Sequence, residues 1–294
     1  MKIAVIGTGY VGLVSGACFS EFGFDVTCID KDPAKIQKIN QGEMPIYEPG
    51  LAELVARNVK AGRLHFDLDL GAAVAAADAV FIAVGTPTRR GDGHADLSFV
   101  YAAAEDIANV CASKGWQVEW LINNAGIAGP DLLKDRDWQA QQTFFQLMML
   151  SVADLCHRFV PEMADRGYGR VINVASVAAR IPRSGGCNYG PAKAYLVAMS
   201  EELHLTVVSS GVNVSALCPG FTHTDFHETA GLMEMKDKMA KWLWYDAAVV
   251  VKDALDGVQR GKAVVVSGRL YRWLDPIFQS IWTRRFFRIK ARPE

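Results

Sequence analysis

Short β-branched, apolar runs alternate with helical patterns along almost the whole of this 294-residue chain. The runs predict strands at residues 2–6, 25–29, 63–67, 79–84, 118–122, 170–174, 212–217 and 263–266. The helical stretches between them are residues 12–21, 33–41, 51–61, 97–113, 138–165, 190–209 and 247–259. Such alternation favours a doubly wound, mostly parallel α/β sheet of about eight strands with helices on both faces. Because no linker or repeat marks a boundary, we expect one continuous sheet and a single domain over residues 1–294.

Composition excludes several classes of protein. Half of the residues are hydrophobic, 21% are charged and the net charge is −1, which is ordinary for a globular protein and gives no global field for nucleic acid. The six cysteines are scattered without a Cys-x-x-Cys pair, which predicts reduced thiols and a cytoplasmic location. The chain opens directly on a strand and has no apolar stretch of about eighteen residues, so we expect neither a signal peptide nor a membrane span.

A glycine-rich turn follows the first predicted strand and opens a helix. In Gly7-Thr-Gly9-Tyr-Val-Gly12 the first glycine allows a tight turn, the second lets a pyrophosphate approach, and the third lets helix and strand pack closely. Asp30, at the end of the second strand, can accept hydrogen bonds from both ribose hydroxyls and repels a 2′-phosphate, which favours NAD. The alternative is a structural turn that has lost its ligand. The predicted Rossmann-like NAD site comprises Gly7, Gly9, Tyr10, Val11, Gly12 and Asp30.

Residues 1 to about 109 resemble the NAD-binding N-terminal domain of the UDP-glucose 6-dehydrogenase family. The likeness rests on the glycine turn, Cys-Ile-Asp-Lys-Asp at 28–32, Pro-Ile-Tyr-Glu-Pro-Gly-Leu at 45–51 and Phe-Ile-Ala-Val-Gly-Thr-Pro-Thr at 81–88. The resemblance implies that Lys35, Gly85 and Thr86 also lie near NAD. The later segment of that family, which carries its nucleophilic cysteine, is absent. Without a thiolate the oxidation of a sugar alcohol to an acid has no covalent route, which disfavours UDP-glucose oxidation.

Tyr189 and Lys193 carry the strongest chemical signal in the second half of the chain. At positions i and i+4 they share one helix face, and an ammonium near the phenol is expected to lower the pKa of Tyr189 from its ordinary value near 10. Such a group can exchange a proton with a carbonyl or alcohol oxygen. Ser176, thirteen residues before Tyr189 and at the end of a strand, is placed to hydrogen-bond that oxygen.

Residues from about 111 to 290 resemble a short-chain dehydrogenase/reductase that lacks its first strands. Four motifs carry the likeness in order: Leu-Ile-Asn-Asn-Ala-Gly at 121–126, Val-Ile-Asn-Val-Ala-Ser at 171–176, Tyr-Gly-Pro-Ala-Lys at 189–193 and Pro-Gly-Phe-Thr at 219–222. The resemblance implies that Lys193 also holds the nicotinamide ribose and that a dimer or tetramer forms through the two long helices. Further cofactor contacts implied by it are Asn124, Ala125 and Gly126 near the adenine, and Pro219, Gly220 and Thr222 beside the nicotinamide.

Two features depart from that family's pattern. Met148 falls near the position where many members have an asparagine that anchors a proton-relay water. The fourth strand of the fold is also present twice, because residues 79–84 supply the front half's version and residues 118–122 supply the other. We expect both to be retained, since expelling residues 79–84 would expose an apolar run. Everything after the duplicated strand would then move outward by one strand spacing, about 4.8 Å. Ser176 and Tyr189 would stand too far from the nicotinamide, and the active site would be compromised.

Other polar clusters have a simpler explanation. His65, Asp67 and Asp69 alternate along a strand, which is more typical of a polar strand end than of a metal site, so we expect no bound metal. His223 and His227 are candidates for substrate contact. The tail at 273–294 is aromatic and basic; a membrane-surface helix is possible there, but cover for the core or a subunit interface is favoured.

The sequence thus predicts a dinucleotide-binding half at 1–110, a catalytic half at 111–272 and a tail at 273–294. The favoured function is NAD-dependent hydride transfer between nicotinamide and a small carbonyl or secondary alcohol, with Ser176, Tyr189 and Lys193 catalytic. The alternative is a fused or recombined NAD-binding chain whose activity is impaired by the junction. Oxidation of UDP-glucose is the third and least favoured interpretation.

Overall fold

A computed structural model describes residues 1–85, 98–181, 188–224 and 240–283. The chain divides into two compact units. The front unit comprises Met1–Arg89 and Ala95–Gln117, and the back unit comprises Arg90–His94 and Val118–Glu294. Both units are built from parallel strands with helices on their faces, which confirms the predicted α/β class.

The front unit contains a four-stranded parallel sheet made of β1 (Lys2–Ile6), β2 (Asp25–Ile29), β3 (Leu64–Asp67) and β4 (Ala79–Ile82). The strand order across this sheet is β3-β2-β1-β4. Its helices are α1 (Tyr10–Glu21), α2 (Pro33–Asn40), α3 (Leu51–Lys60), α4 (Leu70–Ala76) and α5 (Ser98–Lys114). β1 lies in the middle, with Ile3 paired to Val26 on one side and to Ala79 on the other. The front version of the fourth strand is therefore retained in the sheet, as expected.

The core of the front unit explains why its first strand and helix pack so closely. Ile3 and Val5 of β1 are buried against Leu13 of α1 and Val26 of β2. A side chain at Gly16 of α1 would come within 2.4 Å of the Cys28 sulfur, so the helix can lie this near the sheet only with glycine there.

The back unit contains a second four-stranded parallel sheet made of β5 (Trp120–Asn123), β6 (Gly169–Val174), β7 (Val212–Cys218) and β10 (Val264–Val266). The strand order across this sheet is β10-β7-β6-β5. A separate parallel pair joins β8 (Phe221–His223) to β9 (Trp244–Asp246). Its helices are α6 (Trp138–Phe145), α7 (Ser151–Asp165), α8 (Tyr189–Val207), α9 (Ala247–Gln259) and α10 (Arg269–Gln279).

The main difference from expectation concerns sheet continuity. All eight predicted strands are present, but their hydrogen bonds join them into two four-stranded sheets, not into one. β1 pairs with β4, whereas β5 pairs with β6, with Trp120 opposite Arg170. Each half has thus kept its own version of the fourth strand. The assignment of residues 1–294 to a single domain stays a prediction.

Three local elements also differ from the predicted ones. The helix expected at 138–165 is interrupted by a π-helical turn at Gln146–Leu150. A short helix, α4, follows Asp69, whose carboxylate accepts a hydrogen bond from the Ala72 N–H at 2.9 Å and so caps it. The C-terminal helix α10 begins at Arg269, before the tail that the sequence suggested.

Among the described residues, no helix is both long and apolar enough to cross a membrane. Within the same part of the chain, five cysteines form no disulfide: Cys18, Cys28, Cys111, Cys156 and Cys218.

Candidate active site

The glycine turn of the front unit is shaped by two close backbone approaches and one open position. Gly7 has φ +102°, and a Cβ there would lie 2.7 Å from the carbonyl oxygen of Ala83. A Cβ on Gly12 would lie 1.8 Å from the Gly7 oxygen. A Cβ on Gly9, in contrast, would meet no heavy atom of the described chain within 4 Å. The first and third glycines therefore serve the fold, whereas the second leaves space in front of the turn.

That open space lies at the N-terminus of α1, whose first N–H groups point out of the helix. Gly9 is the N-cap residue, and no side chain caps the helix. Tyr10 and Val11 are exposed there, and the Tyr10 hydroxyl donates to Glu48 at 3.0 Å. The N–H groups of a helix N-terminus, at the positive end of the helix dipole, bind phosphate. The described residues therefore fit the pyrophosphate of a dinucleotide.

Asp30 is the most strongly perturbed acid beside the turn. Its Oδ2 accepts hydrogen bonds from the Thr8 N–H at 2.9 Å, the Thr8 hydroxyl at 2.7 Å and the Lys35 ammonium at 2.6 Å, while Oδ1 accepts from the Asp32 N–H at 3.2 Å. Partial burial raises the pKa of the Asp30 carboxyl, but the hydrogen bonds from Lys35, Thr8 and Asp32 outweigh it and lower the pKa to about 2. Asp30 is thus a fixed carboxylate, and its less occupied Oδ1 can accept from a ribose hydroxyl.

Two other predicted NAD contacts, Gly85 and Thr86, follow β4 in the sequence. Gly85 is exposed just after β4, in the segment that also approaches Gly7 through Ala83 and Val84. Thr86 lies outside the described residues.

Lys193 of the back unit is a buried cation. Its side chain is 4% exposed, and its ammonium donates to the carbonyl oxygen of Val174 at 2.7 Å and lies 5.8 Å from the centre of the Tyr189 ring. Burial lowers the pKa of Lys193 to about 8, a shift slightly opposed by the nearby Cys218 thiol. An amine in this position retains donors beyond the one used by Val174.

The turn after Ser176 packs directly against the start of α8. Ser176 caps a 3₁₀ turn at Val177–Ala179, and its hydroxyl oxygen accepts from the Ala178 N–H at 3.1 Å. A Cβ on Gly190 would lie 3.1 Å from the Ala178 carbonyl oxygen. Tyr189 is the first residue of α8, so the fold brings the Ser176 turn beside the end of the helix that carries Tyr189 and Lys193.

The loop after β5 meets the same helix. A Cβ on Gly126 would lie 3.5 Å from the Lys193 ammonium and 3.5 Å from the Met148 methyl group. Asn124 and Ala125 are exposed beside it. Met148 is fully buried in the π-helical turn, and its sulfur accepts a hydrogen bond from the N–H of Ile127 at 3.3 Å. The methionine therefore anchors this loop through its thioether.

A buried polar network holds the base of this region. Asn123 donates to the Asn173 side-chain oxygen at 2.8 Å, and Asn173 donates to the Ser200 hydroxyl at 3.0 Å. These bonds join β5, β6 and α8. At the start of α8, the Asn188 amide donates to the side-chain oxygen of Gln141. Such links set the orientation of the strand ends and of the first turn of α8.

The segment at Pro219–Thr222 is held from outside by α10. A Cβ on Gly220 would lie 2.0 Å from the Tyr271 ring. The Tyr271 hydroxyl accepts a hydrogen bond from the Phe221 N–H at 3.4 Å and donates one to the Leu243 carbonyl oxygen at 3.0 Å. The Pro219 oxygen accepts from the Val177 N–H at 2.9 Å, and the Thr222 hydroxyl donates to the Gly220 oxygen at 3.1 Å. The Ser176 turn and this segment are therefore hydrogen-bonded neighbours.

A salt bridge that sequence reasoning missed ties α10 to the same turn. Arg180 donates to both carboxylate oxygens of Asp275, at 2.7 and 2.6 Å, and the Gln279 amide donates to the Arg180 carbonyl oxygen at 2.8 Å. The hydrogen bonds that Arg180 donates to Asp275 raise the pKa of Arg180, so the guanidinium stays charged. No short motif could have indicated the pair, because its members are 95 positions apart.

The remaining polar candidates are structural where they are described. His223 stacks beside Trp244 with ring centres 5.4 Å apart, and His227 lies outside the described residues. Asp67 accepts from the Leu68 N–H at 2.6 Å, and Asp69 caps α4. Across the described ranges, no group of three His, Cys, Asp or Glu side chains could hold a metal ion.

Two family models match overlapping parts of this chain. Residues 1–121 match the model of the UDP-glucose/GDP-mannose dehydrogenase family, NAD binding domain. Residues 94–234 match the model of the short chain dehydrogenase family. The two resemblances are thereby confirmed for those segments, and NAD is confirmed as the cofactor type.

Curated relatives match the first segment. UDP-glucose 6-dehydrogenase from Rhizobium meliloti strain 1021 is 68% identical over 108 residues, which is 37% of this chain and 25% of the relative. UDP-glucose 6-dehydrogenase TuaD from Bacillus subtilis strain 168 is 57% identical over 106 residues, or 36% of this chain and 23% of the relative. The chain therefore spans about a quarter of the length of these relatives.

Solved structures share the fold over most of the chain. A short-chain dehydrogenase from Sphingobium yanoikuyae in complex with NADPH is 22% identical, covers 92% of this chain and 90% of its own, and has a TM-score of 0.56. A bulky-bulky ketone specific alcohol dehydrogenase from Comamonas testosteroni is 19% identical, covers 95% and 92% respectively, and has a TM-score of 0.53. At these identities the likeness shows a Rossmann-like fold.

Proposed function

We propose that the protein is an NAD-dependent oxidoreductase of short-chain dehydrogenase type, acting between a small carbonyl compound and the matching secondary alcohol. The observation that carries this proposal is the buried Lys193 ammonium, which lies 5.8 Å from the Tyr189 ring and donates to the carbonyl oxygen of Val174, two residues before Ser176. A cation buried next to a phenol serves proton transfer, because it stabilises the phenolate left after the proton has gone.

Each catalytic side chain has one task in the proposed reduction. The Tyr189 hydroxyl gives its proton to the carbonyl oxygen, and Lys193 stabilises the phenolate that remains. The Ser176 hydroxyl donates to the same oxygen as negative charge develops on it. When bound, NAD supplies the hydride donor in its reduced form and the hydride acceptor in its oxidised form. In the alcohol oxidation the proton returns to Tyr189.

The cofactor contacts are divided between the glycine turn and the Asp30 carboxylate. In the proposal, the pyrophosphate lies against the N–H groups at Gly9–Val11, and a ribose hydroxyl donates to Asp30. Lys35 neutralises part of the Asp30 charge at 2.6 Å. The contacts proposed at Gly85, Thr86, Asn124, Ala125, Gly126, Pro219, Gly220 and Thr222 rest on the family resemblance.

The test is turnover by the purified chain with a panel of ketones and secondary alcohols, followed by NADH absorbance. Tyr189→Phe should lower the rate by about 10² to 10⁴-fold while leaving NAD affinity unchanged. Tyr195→Phe, a hydroxyl deletion later in the same helix, is the matched control and should retain the rate. Equal rates in the wild type and in Tyr189→Phe would refute the proposal.

A second candidate function is NAD binding without turnover, and strand pairing favours it. In the short-chain family, the Asn-Asn-Ala-Gly strand is the fourth strand of the sheet. Here β1 is hydrogen-bonded to β4, and the strand with that motif, β5, pairs with β6 in the other sheet. The glycine turn and Tyr189 therefore follow strands of different sheets. Calorimetric binding of NAD with no turnover on any panel member would support this candidate.

A further inference from the structure

Two polar side chains of α10 hold the residue that ends the turn after Ser176. Asp275 and Gln279 stand four positions apart, so they share a helix face. Asp275 accepts two hydrogen bonds from the Arg180 guanidinium, at 2.7 and 2.6 Å, and Gln279 donates to the Arg180 carbonyl oxygen at 2.8 Å. The ion pair is bidentate and each of its side chains is only 17% exposed, so it has one favourable geometry. Both the side chain and the backbone of Arg180 are therefore fixed by this helix.

Tyr271, one helical turn before Asp275, extends the same face of α10 to a neighbouring segment. Its ring lies against Gly220, and its hydroxyl is hydrogen-bonded to the backbone of Phe221 and Leu243. The turn held by Asp275 follows β6, whereas the segment held by Tyr271 follows β7, and these two strands are paired. One stripe of α10 thus spans the segments that leave two adjacent strands.

The turn between Ser176 and Arg180 is a closed hydrogen-bonded unit. The four backbone N–H groups of residues 177–180 all donate, over distances of 2.9 to 3.1 Å. One of them donates to the Ser176 hydroxyl oxygen, and another donates to the Pro219 carbonyl oxygen. The capping bond uses a lone pair of the Ser176 hydroxyl and leaves its proton for an acceptor. The position of Ser176 at the start of this unit therefore depends on that of Arg180 at its end.

We propose that α10 is a brace that positions the Ser176 hydroxyl for the reacting oxygen, and that Asp275 is the main positioning residue of this brace. The inference rests on the proposed dehydrogenase chemistry, in which Ser176 donates to that oxygen as negative charge develops. A donor of this kind has to be held closely in place, because a misplacement of about 1 Å can cost about 10²-fold in rate. Asp275 acts only through Arg180 and takes no part in a chemical step.

Hydrogen exchange of the full chain, followed by mass spectrometry, tests the brace without any substrate. Asp275→Ala should raise exchange at the amides of residues 177–180 about tenfold or more, because it removes two charge-assisted hydrogen bonds. The amides of β6 should keep their wild-type exchange rates, which will show that the opening is local. Gln279→Ala removes a single bond to Arg180 and should raise exchange at the turn by a smaller factor. It provides the test if Asp275→Ala does not fold.

Turnover measures what the brace does for catalysis. Asp275→Ala should lower kcat by about 10- to 100-fold and leave KM for the ketone within about twofold, because the Ser176 contact strengthens only in the transition state. Arg180→Ala should lower kcat by a similar factor. Millimolar guanidinium ion should then restore part of the lost kcat, since it can occupy the place of the removed side chain beside Asp275. General destabilisation would not be reversed by a denaturing cation.

A second ion pair of the same helix provides the matched control. Arg272 donates to Asp253 of α9 at 2.9 Å and to the Val266 carbonyl oxygen of β10 at 3.3 Å. Its removal therefore takes a charge and two hydrogen bonds from α10 without touching the bonds to Arg180. Arg272→Ala should leave kcat and exchange at residues 177–180 at their wild-type values.

Three results would overturn the inference. These are unchanged exchange at residues 177–180 in Asp275→Ala, an equal increase in Arg272→Ala, and a loss of kcat in Arg180→Ala that guanidinium does not restore. Failure of the proposed function gives a different result. A wild-type chain that turns over no ketone or alcohol would refute the dehydrogenase activity, while the exchange rates would still decide whether α10 holds the turn.

Discussion

The Lys193 ammonium lies 5.8 Å from the centre of the Tyr189 ring and donates to the Val174 carbonyl oxygen at 2.7 Å. One turn of α8 therefore carries a half-buried phenol and a buried amine. The amine is tied to the end of β6, two residues before Ser176. This coupling of strand end and helix start makes the three catalytic candidates one structural unit.

Lys193 should make stability depend on pH in the alkaline range. Its pKa is lowered from 10.5 to about 8 by burial, so between these values the unfolded chain binds more protons than the folded one. The free energy of unfolding should accordingly gain up to about 3 kcal/mol from this group as pH rises from 8 to 10.5. Lys193→Met should remove that gain in denaturant titrations.

Lys252→Met is the control for this pH dependence. Lys252 is a solvated lysine on α9 with its side chain 79% exposed. Its replacement should leave the alkaline slope unchanged. An unaltered slope in Lys193→Met would contradict the burial of a titrating amine.

Asp30 should contribute stability that disappears in acid. Its pKa is lowered from 3.8 to about 2, so its contribution is present above pH 3.8 and is lost as pH falls towards 2. Asp30→Asn should cost about 1 kcal/mol at neutral pH, after allowance for solvent screening, and the difference from wild type should vanish in acid. Urea unfolding measures it, with Glu43→Gln as an exposed control. A difference that persists in strong acid would contradict the ion-pair explanation.

Gly9 and Gly12 should respond oppositely to alanine. A methyl group on Gly12 would lie 1.8 Å from the Gly7 oxygen, so Gly12→Ala should destabilise the front unit by about 1–3 kcal/mol. A methyl group on Gly9 meets nothing within 4 Å, so Gly9→Ala should change stability by less than about 1 kcal/mol. NAD affinity of Gly9→Ala should nevertheless fall about tenfold or more, because the methyl occupies the proposed pyrophosphate position. Calorimetry with NAD and thermal melting separate the two effects, and unchanged affinity in Gly9→Ala would refute the placement.

The Arg180–Asp275 pair should be strongly coupled. Both side chains are only 17% exposed and make two short hydrogen bonds, so a double-mutant cycle with Arg180→Met and Asp275→Leu should give a coupling energy of about 2 kcal/mol. The exposed Arg57–Glu21 pair, at 2.8 Å, is the comparison and should give a much smaller coupling energy, because solvent screens it. Equal coupling in the two pairs would show that α10 does not hold the Ser176 turn in this way.

Much of the fold could be predicted because its determinants are local. β1 and β2 were predicted with their observed bounds, since each is a compact apolar run ended by a turn. The helix α4 was missed because seven residues, mostly alanine and glycine, carry little periodicity; the cap at Asp69 was the available signal. The π-helical turn that buries Met148 likewise has no sequence signature of its own.

The three catalytic candidates and the glycine turn were predicted from spacing, since residues at i and i+4 share a helix face in any context. The fit of Gly220 against Tyr271 was not found, because it joins segments that are far apart in the chain. The role of Met148 as a hydrogen-bond acceptor for Ile127 also required the folded loop. Such contacts depend on which elements become neighbours, and side-chain pattern alone does not specify neighbours.

Local residue pattern was therefore sufficient for the type of each main element, and it also predicted the NAD turn and the candidate proton-transfer residues. The partner of each strand was a different matter. β4 and β5 are both short apolar runs, and nothing in either indicates which strand it will pair with. The folded chain pairs β4 with β1 and β5 with β6. The backbone can form the same hydrogen bonds with any neighbouring strand, so long-range side-chain packing on both faces of each strand decides its partner.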